Sequence, residues 1–131
     1  MSLKPIRVLI VDDSEICRDT AKLMLEDLGF EVFTLETPLG FSGTLRKLRP
    51  DIALVDVGMP GLQGDRLVQI AHRHGAGEIC PVILFSERKR AELDALAELC
   101  GASGAISKSD NWAGIANEIR ALVRRSSRSA Q

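Results

Sequence analysis

Short apolar runs alternate with longer amphipathic stretches along this chain. Five runs rich in aliphatic and β-branched residues predict strands: Ile6–Val11, Glu31–Leu35, Ile52–Val55, Val82–Phe85 and Gly104–Ser107. The first run is apolar almost throughout, which is typical of a strand buried on both faces of a parallel sheet. Because each run is followed by residues with helical spacing, the pattern predicts parallel strands joined by helical crossovers in a three-layer α/β fold.

The stretches between the strands place apolar residues three and four positions apart, as in helices that cover a sheet. We predict a helix that ends at Gly29, a second with Thr37-Pro38 as N-cap and first turn, a third from near Gly64, a fourth over Arg88–Cys100, and a last one capped by Asp110. The last apolar position of this pattern is Val123. We therefore expect one domain over residues 5–123 and a disordered basic tail over residues 124–131.

Composition and charge narrow the class of protein. The chain has 131 residues, 45% of them hydrophobic and 27% charged, as expected for one globular domain. Its net charge of −1 predicts no nucleic-acid partner. No apolar run approaches the ~18 residues of a membrane span, and the first residues lack the features of a signal peptide. We expect a cytoplasmic protein without a membrane partner.

Polar residues stand where four of the predicted strands end. The five residues are Asp12, Asp13, Asp56, Ser86 and Lys108. Because the carboxyl ends of parallel strands meet at one edge of the sheet, we expect these side chains to converge there. An aspartate after a strand is also a common turn or cap residue, so a simple capping role for Asp13 or Ser14 is the structural alternative.

Three clustered carboxylates repel each other unless a cation relieves them. Mg²⁺ suits such a cluster because it takes one or two carboxylates, waters and a phosphate oxygen. A hydroxyl and an ammonium group across the site are suited to the equatorial oxygens of a transferred phosphoryl group. The residue types therefore predict metal-assisted phosphoryl chemistry on a carboxylate.

Four segments carry a resemblance to a known family. They are VLIVDDSE at Val8–Glu15, DIALVDVGMPGLQG at Asp51–Gly64, VILFSE at Val82–Glu87 and GAISKSD at Gly104–Asp110. In this order and spacing they resemble the receiver domain of response regulators, the CheY-like phosphoacceptor of two-component signalling. The resemblance covers about residues 5–123 and implies a doubly wound (βα)₅ fold, with sheet order 2-1-3-4-5 and helices on both faces.

The resemblance also implies a role for each site residue. Asp56 would accept the phosphoryl group, and Mg²⁺ would be held by Asp12, Asp13, Asp56 and the backbone carbonyl of Gly58. Ser86 and Lys108 would contact the phosphoryl oxygens. The implied phosphodonor is a phosphohistidine on a sensor histidine kinase or a histidine phosphotransfer protein. The domain would be a phosphoacceptor that catalyses its own phosphorylation and dephosphorylation, not an enzyme for external substrates.

The signal would pass to a downstream protein through Ser86 and the helix after the fourth strand. A homodimer through that helix, the fifth strand and the last helix is left open. No output domain fits after Val123, so we expect either a stand-alone receiver or a piece of a longer regulator.

Three positions depart from the family pattern. Ala105 stands where the family usually has Tyr or Phe, Ser109 where a cis-proline usually follows the lysine, and Glu87 where a small residue usually follows the switch hydroxyl. Glu87 would place a carboxylate at the mouth of the site. The missing aromatic favours an alternative, a scaffold that binds its partner independently of phosphorylation. A phosphatase for external substrates is disfavoured because such sites need a lid to exclude water.

Overall fold

A computed structural model describes residues 4–58, 64–73 and 75–129. The strands are β1 (Arg7–Val11), β2 (Glu31–Leu35), β3 (Ile52–Val55), β4 (Val82–Ser86) and β5 (Gly104–Ser107). The helices are α1 (Glu15–Asp27), α2 (Phe41–Leu48), α3 (Gly64–Arg73), α4 (Ala76–Ile79), α5 (Arg90–Cys100) and α6 (Trp112–Ser129). The resemblance also implies a turn at Met59-Pro60-Gly61, after Asp56, and these residues lie outside the described ranges.

In the described part of the chain the strands form one five-stranded parallel sheet in the order β2-β1-β3-β4-β5. The expected fold and strand order are therefore confirmed. β1 lies next to β3, and β3 next to β4, so the residues that follow these strands are neighbours at the carboxyl edge.

Each face of the sheet carries its own hydrophobic core. Along β1, Leu9 and Val11 pack into the cluster that contains Phe41 of α2 and Leu93 of α5. Val8 and Ile10 pack into the opposite cluster, which includes residues of α1 and α6. Burial on both faces explains why the strand sequence is apolar almost without alternation.

Three helix starts differ from the sequence predictions. Thr37 Oγ1 accepts a hydrogen bond from Leu39 N at 3.1 Å in a turn, and α2 begins only at Phe41, after Gly40 in the left-handed region. α5 begins at Arg90 and not at Arg88. The cap of α6 is Asn111, whose Oδ1 accepts from Gly114 N at 2.7 Å, and not Asp110. Before α2 and α5 a hydroxyl oxygen, that of Thr37 or Ser86, accepts a hydrogen bond within a local turn and delays the helix, whereas the Asn111 side chain caps α6 itself.

The expectation of a disordered tail from residue 124 is wrong for the described residues, because α6 continues to Ser129. Extending an existing helix is far less costly than starting one. Arginine is a good helix former, and a positive charge in the last turns interacts favourably with the helix dipole. The four-residue helix α4 was not predicted, since it is too short to show a helical period.

Among the helices of the described ranges, none has both the length and the apolar character required to cross a bilayer.

Candidate functional site

The end of β1 positions the first carboxylate. Asp12 is almost fully buried at 2% exposure, and its Oδ1 accepts a hydrogen bond from Ser14 N at 2.9 Å. Ser14 in turn caps α1, since its Oγ accepts from Cys17 N at 3.2 Å. The capping alternative is therefore correct for Ser14, whereas Asp13 is not the cap and is exposed beside the site.

The three predicted carboxylates do converge at the carboxyl edge. One oxygen from each of Asp12, Asp13 and Asp56 lies within 4.8 Å of the others. Asp56 follows β3 directly, and its backbone N donates to Val11 O at 2.9 Å, which aligns the ends of β1 and β3. Within the described residues, no hydrogen bond or ion pair engages the Asp13 side chain, so its oxygens are available to a cation.

Lys108 reaches the same cluster from the end of β5. Its Nζ lies 2.5 Å from Asp12 Oδ2 and 3.1 Å from Asp56 Oδ1. The ammonium group also lies 5.5 Å from the centre of the Phe85 ring. Lys108 N donates to Ser86 O at 2.8 Å, so the main chain of the lysine turn is joined to the end of β4.

The electrostatics of the cluster reflect burial and crowding together. Burial raises the pKa of Asp56; Lys108 opposes this shift, while the charges of Asp12 and Asp13 add to it. Burial by itself would lower the pKa of Lys108, but its hydrogen bond to Asp12 and the charges of Asp56 and Asp12 raise that pKa overall. One ammonium group therefore does not fully compensate three carboxylates. An added divalent cation would relieve the repulsion that remains.

Ser86 lies at the end of β4 and is buried. Its hydroxyl accepts a hydrogen bond from Arg88 N at 3.2 Å. Because this bond uses a lone pair of the oxygen, the hydroxyl proton can still be donated to another acceptor.

The other two predicted site residues are exposed. Gly58 has a φ of 119°, a conformation that favours glycine. Glu87 lines a cavity of about 160 Å³ together with Ile16, Cys17, Thr20, Phe85, Lys108 and Trp112. Glu87 therefore shares this cavity with the lysine, and its place at the mouth of the site stays a prediction.

Arg18 is a site neighbour that the sequence analysis missed. Its Nη1 donates to the Asp12 carbonyl at 2.9 Å, and its Nη2 lies 3.6 Å from Glu36 Oε2. The side chain is only 14% exposed. Arg18 stands three and seven positions before the buried residues Ala21 and Leu25. This spacing on the inner face of α1 was the available signal that the arginine is held inside.

The strand order and the carboxylate cluster at the carboxyl edge together define a CheY-like doubly wound α/β domain. The sequence profile of the response regulator receiver domain matches residues 8–120. The chain belongs to this family and is a receiver domain of two-component signalling.

Relatives of known sequence agree with this assignment. The transcriptional regulatory protein CseB of Streptomyces coelicolor is 38% identical over 120 residues, which cover 90% of this chain and 49% of CseB. CreB of Escherichia coli, also a transcriptional regulatory protein, is 32% identical over 120 residues, covering 90% of this chain and 51% of CreB. The chain thus spans about half the length of these two regulators.

Solved structures agree with the fold. The chemotaxis protein CheY4 of Vibrio cholerae superposes with a TM-score of 0.79 at 24% identity, covering 90% of this chain and 98% of that one. A CheY-like receiver domain protein of Methanospirillum hungatei superposes with a TM-score of 0.76 at 26% identity, covering 95% and 98%.

Proposed function

We propose that this receiver accepts a phosphoryl group on Asp56 from a phosphohistidine of a sensor histidine kinase or a histidine phosphotransfer protein, with Mg²⁺ as cofactor. The observation that carries the proposal is the convergence of three carboxylates and the Lys108 ammonium group at one sheet edge. We place the phosphorylatable unit at residues 5–123 and its site of action in the cytoplasm.

The contacts of Asp12 and Asp56 favour Asp56 as the phosphoryl acceptor. Asp12 has both oxygens engaged, Oδ1 by Ser14 N and Oδ2 by Lys108. Asp56 is more accessible, at 17% exposure, and only its Oδ1 is engaged by a described donor. An oxygen of Asp56 is therefore open to attack an incoming phosphorus atom, whereas Asp12 is held as a ligand.

The donor set fits Mg²⁺. Asp12, Asp13 and Asp56 would supply carboxylate oxygens and Gly58 its carbonyl, and hard oxygen donors of this kind are what Mg²⁺ prefers. When bound, the ion would neutralise charge that develops on the phosphoryl oxygens. Lys108 would contribute a second positive charge at the same cluster, because its Nζ already contacts Asp12 and Asp56.

The Ser86 hydroxyl supports a route from the site to α5. It holds Arg88 N, two residues before α5 begins at Arg90. If the hydroxyl turns toward a phosphoryl oxygen, Arg88 N loses its acceptor and the segment that leads into α5 shifts. We propose that a downstream protein senses this change.

The scaffold alternative, binding a partner without phosphorylation, is not favoured because the acid cluster and lysine are fully assembled. The chemistry that we propose is limited to the domain's own phosphorylation and dephosphorylation. We propose no nucleic-acid or membrane partner for this domain, and a homodimer through α5, β5 and α6 stays a hypothesis.

Incubation with acetyl phosphate and Mg²⁺, followed by intact-mass measurement, tests the proposal. The wild type should gain one hydroxylamine-sensitive phosphoryl group, and Asp56→Asn should gain none. Asp27→Asn, an exposed aspartate at the end of α1, is the matched control and should load normally. Phosphate that persists on Asp56→Asn would refute the assignment. Beryllofluoride with Mg²⁺ should shift the amide resonances of Asp56, Ser86 and the start of α5.

A further inference from the structure

The turn after β5 is closed by two serine side chains. Ser107 is the last residue of the strand and is 4% exposed. Its Oγ lies 2.6 Å from Ser109 Oγ and accepts a hydrogen bond from Ser109 N at 3.2 Å. Asp110 N donates to Ser107 O at 3.3 Å across the same turn. We call the hydrogen-bonded pair Ser107 and Ser109 the serine clasp.

The residue enclosed by the serine clasp is Lys108. Its backbone N is held by Ser86 O at 2.8 Å, and Ser86 is the partner of Ser107 in the β4–β5 register. The Lys108 backbone is therefore restrained on both sides, by β4 and by the clasp. The side chain is 13% exposed and ends between Asp12 and Asp56. The lysine side chain is flexible along its four carbons. Its ammonium group therefore contacts the carboxylates for more of the time when the Lys108 backbone is held in place.

We infer that Ser109 is a positioning residue for the Lys108 ammonium group, acting through Ser107. It does by hydrogen bonding what the ring of a proline at this position does covalently, namely restrict the backbone just after the lysine. The inference rests on the proposed function, since it assumes that Lys108 serves a phosphoryl group at Asp56.

If Ser109 positions Lys108, its loss should affect Mg²⁺ and a phosphoryl mimic in opposite directions. General damage to the turn would weaken the binding of both. Lys108 competes with Mg²⁺ for the oxygens of Asp12 and Asp56, because both are cations at the same carboxylates. The same ammonium group favours a phosphoryl group, which is an anion. Loosening Lys108 should therefore strengthen Mg²⁺ binding and weaken binding of a phosphoryl mimic.

The experiment measures both affinities in the full chain. Mg²⁺ is titrated alone, and beryllofluoride is titrated at saturating Mg²⁺, both followed by amide resonances and by the fluorescence of Trp112, the single tryptophan, which shares a cavity with Lys108. Ser109→Ala should bind Mg²⁺ about threefold more tightly and beryllofluoride about threefold more weakly, the size expected for losing one hydrogen bond. Ser109→Thr keeps the hydroxyl and should bind Mg²⁺ and beryllofluoride with the affinities of the wild type. Ser127→Ala, an exposed serine on α6, is the matched control and should change neither.

A double-mutant cycle with Lys108→Met separates positioning from damage. In that background, Ser109→Ala should leave Mg²⁺ affinity unchanged, because there is no ammonium group left to position. Ser109→Gly, which also frees the backbone, should exceed the effect of Ser109→Ala in the presence of the lysine. The inference is overturned if Ser109→Ala weakens both ligands, or if its effect on Mg²⁺ persists without Lys108. Failure of the proposed function looks different: the wild type itself would show no beryllofluoride binding that depends on Asp56.

Discussion

The Lys108 ammonium nitrogen lies 2.5 Å from Asp12 Oδ2, although β5 and β1 are separated by two strands in the sheet. This contact compensates the charge of a carboxylate that is almost fully buried. It also leaves Asp56, at 3.1 Å from the same nitrogen, as the less tightly held of the two partners. In the free protein, Asp12 is therefore restrained, whereas Asp56 has an oxygen available to a ligand.

The first prediction concerns Asp56 and the stability of the metal-free fold. Burial raises the pKa of Asp56 above its ordinary value of 3.8. A carboxyl whose pKa is raised in the folded state stabilises the fold fully below the unfolded value, and this contribution is lost as pH rises through the folded value. Asp56→Asn should therefore be more stable than the wild type at neutral pH, by about 1.4 kcal/mol for each unit of elevation.

The difference in the free energy of unfolding between Asp56→Asn and the wild type should shrink as pH falls toward 3.8 and vanish below it. Urea unfolding from pH 3 to pH 7 without Mg²⁺ measures this difference. Asp27→Asn, at an exposed site, should show no such dependence. A less stable Asp56→Asn at neutral pH would contradict the prediction.

The second prediction concerns Asp13 as a metal ligand. Asp13→Asn should weaken Mg²⁺ binding by about tenfold or more, since it removes an exposed carboxylate that has no described partner of its own. It should also lower the pKa of Asp56, because the charge of Asp13 contributes to raising that pKa. Carboxyl-carbon NMR titration reads the pKa and amide shifts read the affinity. Glu15→Gln, the exposed neighbouring acid of α1, is the control, and equal losses in both variants would argue against a specific ligand role.

The third prediction concerns Glu87 at the cavity beside Lys108. Its carboxylate should repel anionic phosphodonors, so Glu87→Ala should load faster from acetyl phosphate, by a factor on the order of five at low salt. Raising the salt concentration should reduce the gain, because screening weakens exposed charges. Glu87→Gln separates charge from bulk, and Glu98→Ala on the exposed face of α5 is the control. A rate that does not change in Glu87→Ala would mean that the carboxylate does not face the donor.

The fourth prediction concerns readout without an aromatic ring. Ala105 is buried on β5 and borders a groove of about 280 Å³ that Arg90, Asp94 and Glu118 also line. With no ring to move, the response of the wild type to beryllofluoride should be confined to the site and to residues 86–93. Ala105→Tyr should add shifts in β5 and α6, whereas Ala105→Leu, bulky but not aromatic, should add fewer. Identical responses in all three proteins would show that position 105 has no part in signalling.

Much of this architecture could be predicted from residue order alone. Strand burial depends on short-range pattern, so runs such as Ile52–Val55 show their place in a parallel sheet directly. Since parallel strands share one carboxyl edge, locating the strands was enough to place Asp12, Asp56 and Lys108 at that edge. The four motif segments predicted a receiver domain, and the family match confirms that prediction.

Local competition for hydrogen bonds was harder to predict. Whether Asp110 or Asn111 caps α6 depends on which side chain reaches a free backbone N–H, and Asp110 N is itself used in the turn with Ser107. The length of α6 was hard to predict for a similar reason. The residues after Val123 are polar and show no helical period, but they continue a helix that has already formed.

The sequence by itself determined the sheet, its functional edge and the residue types gathered there, because hydrophobic period and strand direction are properties of the chain. Only the tertiary structure decided which oxygen each donor reaches. Three contacts of this kind are the Lys108–Asp12 ion pair at 2.5 Å, the Arg18 bond to the Asp12 carbonyl at 2.9 Å and the Ser107–Ser109 clasp at 2.6 Å. Such distances follow from how α1, β1 and β5 are placed around the rest of the sheet, and hydrogen bonds weaken steeply with small displacements.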